Sequence, residues 1–178
     1  LLGESRVSQE FPGIDISVPP CVVIGTDVFD AFLDQNDLRH LSLHSDDDAS
    51  IRERFLAARL PAEAEADLLC FIERVREPLA VRSSSLLEDS PYRPFSGVYE
   101  TFMLPNNHAF MEMRFRQLQV AIKQVYASTF SSHSKAYIRA TPYRLEEEKM
   151  AVILQRLVGT AHGPRFYPEF AGVARSHG

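Results

Sequence analysis

Leu79-Ala-Val-Arg-Ser-Ser-Ser-Leu-Leu-Glu-Asp-Ser90 and, shortly after it, Pro94-Phe-Ser-Gly-Val-Tyr-Glu-Thr-Phe102 decide how this chain is read. A short apolar strand over residues 79–81 delivers one arginine, Arg82, into three serines. A proline-flanked loop follows, and its glycine, Gly97, feeds a second strand over 98–104. A guanidinium is a planar five-donor fork that matches phosphate oxygens and stays charged at any working pH. Serines add hydroxyl donors, and their small side chains let backbone N–H groups approach an anion. Gly97 allows backbone to come close to a ligand. The same residues admit a purely local reading. Ser85 and Glu88 have the spacing of a capping box at a helix start, and Arg82 would then be an ion-pair partner of Glu88 or Asp89. No GxxxxGK[ST] pattern is present.

Around this segment the 178 residues are 45% hydrophobic and 24% charged, an ordinary globular composition. A chain of this length buries roughly 70% of its unfolded surface and needs no disulfide or metal staple. The net charge of −5 leaves no electrostatic footprint for nucleic acid. No run of 18 apolar residues exists, so no membrane span is expected, and no signal peptide is visible; cytoplasm is the expected compartment. Cys21 and Cys70 sit in apolar runs without a CxxC partner and read as buried, reduced thiols. The six histidines show no metal-ligand spacing, and no Gly-x-Ser-x-Gly elbow supports serine hydrolysis.

Working outward, residues 16–24 read as a strand entered through Pro19-Pro20, with 21–24 as its paired portion. Thr26 or Asp27 can cap a short helix whose inner face is Phe29, Phe32 and Leu33. Residues 45–49 form a polar loop or cap, 51–60 a helix, and 61–76 an amphipathic helix that starts at Pro61. The longest helix spans 109–129 with Leu118, Ala121, Ile122 and Val125 as its core stripe, and a shorter one spans 134–140. Residues 149–158 are apolar at nearly every position and read as a central strand covered on both faces. Residues 159–168 form a turn-rich connection, and 170–175 begin a further strand. A lobe division is expected near 145–150.

Gln155 is the one uncharged polar side chain in the strongest strand. A buried amide without partners costs about 1–3 kcal/mol, so it either binds a ligand or satisfies nearby backbone. Thr101 could reach a phosphate and Glu100 a metal or ribose; both could equally be solvent-facing strand residues. Glu146-Glu-Glu-Lys149 reads as a solvated turn.

Taken together, these stretches resemble the nucleotide-binding domain of the phosphoenolpyruvate synthase / pyruvate, phosphate dikinase family. Val81-Arg-Ser-Ser84, Glu88-Asp89 and Phe95-Ser-Gly-Val-Tyr-Glu-Thr-Phe102 are similar to that family's Val-Arg-Ser-Ser, Glu-Asp and Phe-x-Gly-x-x-(Glu/Asp)-Thr-(Phe/Tyr) runs. Val18-Pro-Pro-Cys-Val-Val-Ile-Gly-Thr26, the helix over 121–130, Met150-Ala-Val-Ile-Leu-Gln155 and Ala171-Gly-Val-Ala174 follow in the family's order. The resemblance implies an α+β, ATP-grasp-like nucleotide-binding domain over residues 1–178, incomplete at both ends. It implies that Arg82 holds ATP phosphates and serves catalysis. Gly97 and Thr101 would belong to the loop over the phosphates, Glu100 would sit beside it, and Gln155 would lie near the adenine.

In the family ATP phosphorylates a histidine on a swivelling domain, and the phosphate passes to pyruvate in another domain. Those two domains are the expected partners, with ATP and Mg2+ as cofactors and the metal ligands outside this chain. Three departures stand out. The family's loop lysine has no counterpart among residues 1–18, its later metal-binding glutamate has none here, and Cys21 replaces a glycine. The chain therefore reads as a fragment that is inactive alone. The alternatives are a nucleotide-binding regulatory module without phosphoryl transfer, a same-fold phosphotransferase acting on a glucan or an antibiotic, or a structural domain.

Overall fold

A computed structural model describes residues 13–14, 17–85, 87–88 and 97–173. Strand β1 (Cys21–Ile24) starts directly after Pro19-Pro20, where the missing proline N–H donors cost no ladder bond. Helices α1 (Thr26–Gln35), α2 (Leu38–His44), α3 (Asp48–Ala57) and α4 (Ala62–Arg74) lead to β2 (Leu79–Ser85) and β3 (Thr101–Leu104). Helices α5 (Met111–Ser128) and α6 (Ser132–Arg139) precede β4 (Met150–Arg156), and β5 (Thr160–His162) and β6 (Arg165–Tyr167) follow. The first four strands form one antiparallel sheet in the order β1-β4-β2-β3, so the domain is mixed α/β with an antiparallel sheet.

The alternation of side chains across this sheet decides where the core lies. Ile24, Leu79, Val81, Met150, Val152 and Leu154 are buried on one face, where α5 packs across β2, β3 and β4, and α1 packs on β4. The helices bring an aromatic cluster with them. Phe29 and Phe32 of α1 meet Tyr126 of α5 at ring-centre distances of 4.9 and 5.4 Å, and Phe55 of α3 meets Phe32 at 5.6 Å. Such tilted pairs add about 0.5–1.5 kcal/mol each beyond the area they bury. Leu118, Ala121, Ile122 and Val125 form the buried stripe of α5, and Phe29, Phe32 and Leu33 that of α1, as their spacing predicts.

Several expectations are corrected. Strand β4 is central, but its burial alternates rather than being complete on both faces: the described helices pack on one face, and Ala151, Ile153 and Gln155 stay half-buried on the other. Cys21 and Cys70 are free but exposed, not buried. Cys21 lies on the strand's open side, and Cys70 falls between the inward positions Leu68 and Ile72 of α4. The N-cap of α1 is Gly25 without a side-chain bond, whereas Asp47 caps α3 by accepting from the Ala49 N–H at 3.1 Å. Residues 159–168 are not a mere connection. They form the β5–β6 hairpin, whose Gly163-Pro164 turn gave the stretch its loop-like composition. Residues 170–173 form no strand; 174–175 lie outside the described residues. After Ser85, Leu87 and Glu88 form a turn in which the Glu88 N–H donates to the Ser85 carbonyl at 3.3 Å. Asp89 and Phe95 lie outside the described residues.

The chain divides into two compact units: Cys21–Leu157, and Leu1–Pro20 with Val158–Gly178. The first holds the four-stranded sheet and its helices. The second holds the hairpin, in which the His162 ring stacks on Tyr167 at 4.0 Å.

Candidate functional site

Register places the predicted residues before any side chain is considered. Arg82 lies opposite Thr101 on β3 and opposite Ile153 on β4, and Ile153 lies opposite Val23 on β1. The next row in phase runs Cys21, Gln155, Ala80, Met103. Directly opposed residues share a face, as do positions two apart along a strand. Arg82, Thr101 and Gln155 therefore share the sheet face opposite the helices. The side chains agree: Arg82 Nη1 donates to Gln155 Oε1 at 3.2 Å. Among the described residues no carboxylate holds Arg82, so the ion pair with Glu88 is not formed. Val23 and Met103 flank this row with 59% and 62% of their surface exposed. The face thus offers a cationic fork, a hydroxyl and an amide beside open aliphatic surface, a combination suited to a ligand with an anionic end and a flat ring.

Gly97 has φ +83, a left-handed backbone that favours glycine, and among the described residues no atom beyond its chain neighbours lies within 4 Å of where a β-carbon would stand. Glu100 is not brought to the Arg82 row. As the neighbour of Thr101 it turns the other way, where both carboxylate oxygens accept from Arg52 Nη2 of α3 at 2.8 and 2.9 Å. Its N–H donates to Ser128 Oγ of α5 at 3.3 Å. Glu100 and Arg52 line a cavity of about 350 Å³ together with Asp48, Ser128 and Ser131.

One buried group was missed by sequence reasoning. Glu148 is only 8% exposed and accepts a 2.8 Å hydrogen bond from the Tyr99 hydroxyl, itself 7% exposed. Burial pushes the Glu148 carboxyl up; the Ser85 and Tyr99 hydroxyls partly offset this, and the Glu88 charge adds to it. Burial likewise raises the Tyr99 phenol, with the Glu148 charge acting in the same direction. The expected solvated turn over 146–149 is thus corrected at Glu148. The signal was phase: Glu148 stands two residues before Met150, in step with Val152 and Leu154, all of them buried. Among the described residues no group of three or more His, Cys, Asp or Glu side chains could hold a metal ion. No described helix is long and apolar enough to cross a membrane.

An antiparallel sheet backed by helices on one face and presenting this polar set on the other is consistent with a nucleotide-binding domain. Over residues 4–177 the sequence matches the family described as pyruvate phosphate dikinase, AMP/ATP-binding domain, and the chain belongs to that family. It is also similar to the uncharacterized phosphotransferase YvkC of Bacillus subtilis (strain 168), with 24% identity over 147 residues. The matched segment is 80% of this chain and 16% of that protein, so the chain spans a small part of the curated relative's length. Family and relative together make this a dikinase-type ATP-binding domain among phosphotransferases.

Proposed function

We propose that this chain is the ATP-binding part of a phosphoenolpyruvate synthase-like enzyme with an ATP-grasp-like nucleotide site. In this reading ATP phosphorylates a histidine on a separate domain, and that phosphate passes on to pyruvate. Overall, ATP, pyruvate and water become AMP, phosphate and phosphoenolpyruvate. The observation that carries the reading is the shared open face of Arg82, Thr101 and Gln155. Arg82 holds phosphate oxygens and neutralises charge as it moves between them, which is the main work a protein does in phosphoryl transfer. The Thr101 hydroxyl adds a donor one strand away, and Gly97 lets backbone approach the phosphates. Glu100, paired to Arg52, fixes the edge of this loop.

Gln155 reads the base. Base and terminal phosphates lie at opposite ends of ATP, so Arg82 swings off Gln155 when nucleotide enters and frees the amide for adenine. Mg2+ would shield the phosphates. The described carboxylates do not form a cage for it, and no step is assigned to the metal here. The chain alone binds ATP weakly and turns none over, because no lysine in residues 1–18 joins Arg82 at the phosphates.

The test follows phosphorus species by NMR in the full-length protein with Mg-ATP, with and without pyruvate. Pyruvate-dependent AMP, phosphate and phosphoenolpyruvate support the reading. Absence of turnover in both conditions overturns it.

A further inference from the structure

Residues 97–101 carry the glycine and threonine of the proposed phosphate loop, so whatever fixes them fixes the site. The segment is held at its edge by the exposed Arg52–Glu100 ion pair and by a long 3.3 Å bond from the Glu100 N–H to the buried Ser128 Oγ. Exposed pairs are screened and weak. Ser134 Oγ reaches the Val98 carbonyl only at 3.5 Å, while bonding the Ser128 carbonyl at 2.6 Å. A buried tether of ordinary length runs from the Tyr99 hydroxyl to Glu148 at 2.8 Å. Glu148 stands one residue from Lys149 and two from Met150, where β4 begins, and β4 carries Ile153 and Gln155.

We infer that Glu148 is a positioning residue: through the Tyr99 hydroxyl it fastens the 97–101 segment to β4 and sets the distance between the phosphate side and the base side of the nucleotide site. The inference rests on the nucleotide-site reading above. Glu148 touches no nucleotide. Its role is to keep Thr101 and the Gly97 backbone in register with Gln155, so that ATP meets both ends of the site at once. An acceptor at this position is required; a charge is not. Gln therefore replaces Glu, whereas Leu does not.

The experiment uses the full-length protein and measures backbone hydrogen exchange over 97–101 without nucleotide, together with ATP affinity. Variants are Glu148→Leu, Glu148→Gln and Tyr99→Phe, with Arg82→Ala as control. Tyr99→Phe keeps the buried ring and removes only the hydroxyl, so it serves should Glu148→Leu fail to fold. Losing one buried hydrogen bond weakens ATP roughly tenfold. The expected result is that loss in Glu148→Leu and Tyr99→Phe, faster exchange confined to 97–101, and near wild-type behaviour in Glu148→Gln. A purely structural role would raise exchange throughout the sheet without rescue by Gln, and overturns the inference. Wild type that binds ATP and loses it on Arg82→Ala, while Tyr99→Phe and Glu148→Leu bind normally, overturns the inference alone. Wild type that binds no ATP overturns the nucleotide reading and the inference with it.

Discussion

Arg82 is held by one amide oxygen and no carboxylate among the described residues, so its charge is available to an incoming anion. A charge-assisted phosphate contact contributes about 1.5–3 kcal/mol. Arg82→Ala should therefore weaken ATP roughly 10- to 100-fold, and Arg82→Lys should recover only part of that, because a lysine keeps the charge without the fork. Cys21 supplies a chemical readout on the same face. It is free, exposed and opposite Gln155, whereas the equally free Cys70 lies on α4. ATP should slow alkylation of Cys21 severalfold and leave Cys70 unchanged; equal protection of both, or of neither, would count against the site. Arg82 and Gln155 were legible in the sequence because an arginine entering a serine run and a lone amide in an apolar strand each contradict their surroundings. Glu148 was not, because three consecutive glutamates have the composition of a solvated turn. Glu148 alone adjoins β4 in phase with its buried residues, whereas Glu146, in the same phase, belongs to the preceding turn and is exposed.

Strands and helices were legible to the extent that one pattern governed them. The stripes of α1 and α5 follow helical spacing and were read correctly. Strand β2 runs to Ser85, beyond the apolar residues 79–81, because Ser83, Ser84 and Ser85 pair with Val152, Ala151 and Met150. Serine composition hid what a neighbouring strand supplies. Strand β3 begins at Thr101 because Val98 and Tyr99 are both buried, which breaks the alternation expected from 98 onward. Strand β4 joins the halves of the sheet, with β1 on one side and β2 on the other. Leu154 is 1% exposed on its helix-covered face. Leu154→Ala should cost about 2–5 kcal/mol in chemical denaturation. Ile153→Ala, half-buried on the open face, should cost clearly less. Equal losses at both positions would mean that the two faces of β4 are covered alike.

For the molecule as a whole, the mixed α/β character and most of the order of elements were legible, since prolines and periodicities agree along much of the chain, but helix α2 (Leu38–His44) was not anticipated. The β5–β6 hairpin was not, because three-residue strands around Gly163-Pro164 carry too little periodicity to stand out. Two carboxylates beside the start of β4 make opposite contributions to how stability responds to pH. Asp30 of α1 is bonded by Lys149 and by Arg39 at 2.9 Å. Burial works against its ionised form, but these hydrogen bonds outweigh it and hold the carboxyl below its ordinary value. Its contribution is present above the unfolded-chain value and is lost as pH falls through the lower folded one. Glu148 has the opposite sign. Burial and the Glu88 charge raise it against the opposing Ser85 and Tyr99 hydroxyls, so the folded protein binds its proton more tightly than the unfolded chain does. That contribution is complete below the ordinary glutamate value and is lost as pH rises through the raised folded value. Urea midpoints measured as pH rises above the ordinary glutamate value should accordingly fall in the wild type and fall less in Glu148→Gln, which carries no titrating proton. Added salt should shrink the acid-side contribution of the partly exposed Asp30 cluster, leaving the buried Glu148 step in place. A Glu148→Gln profile parallel to that of the wild type would show that the buried carboxyl does not change its protonation in this range.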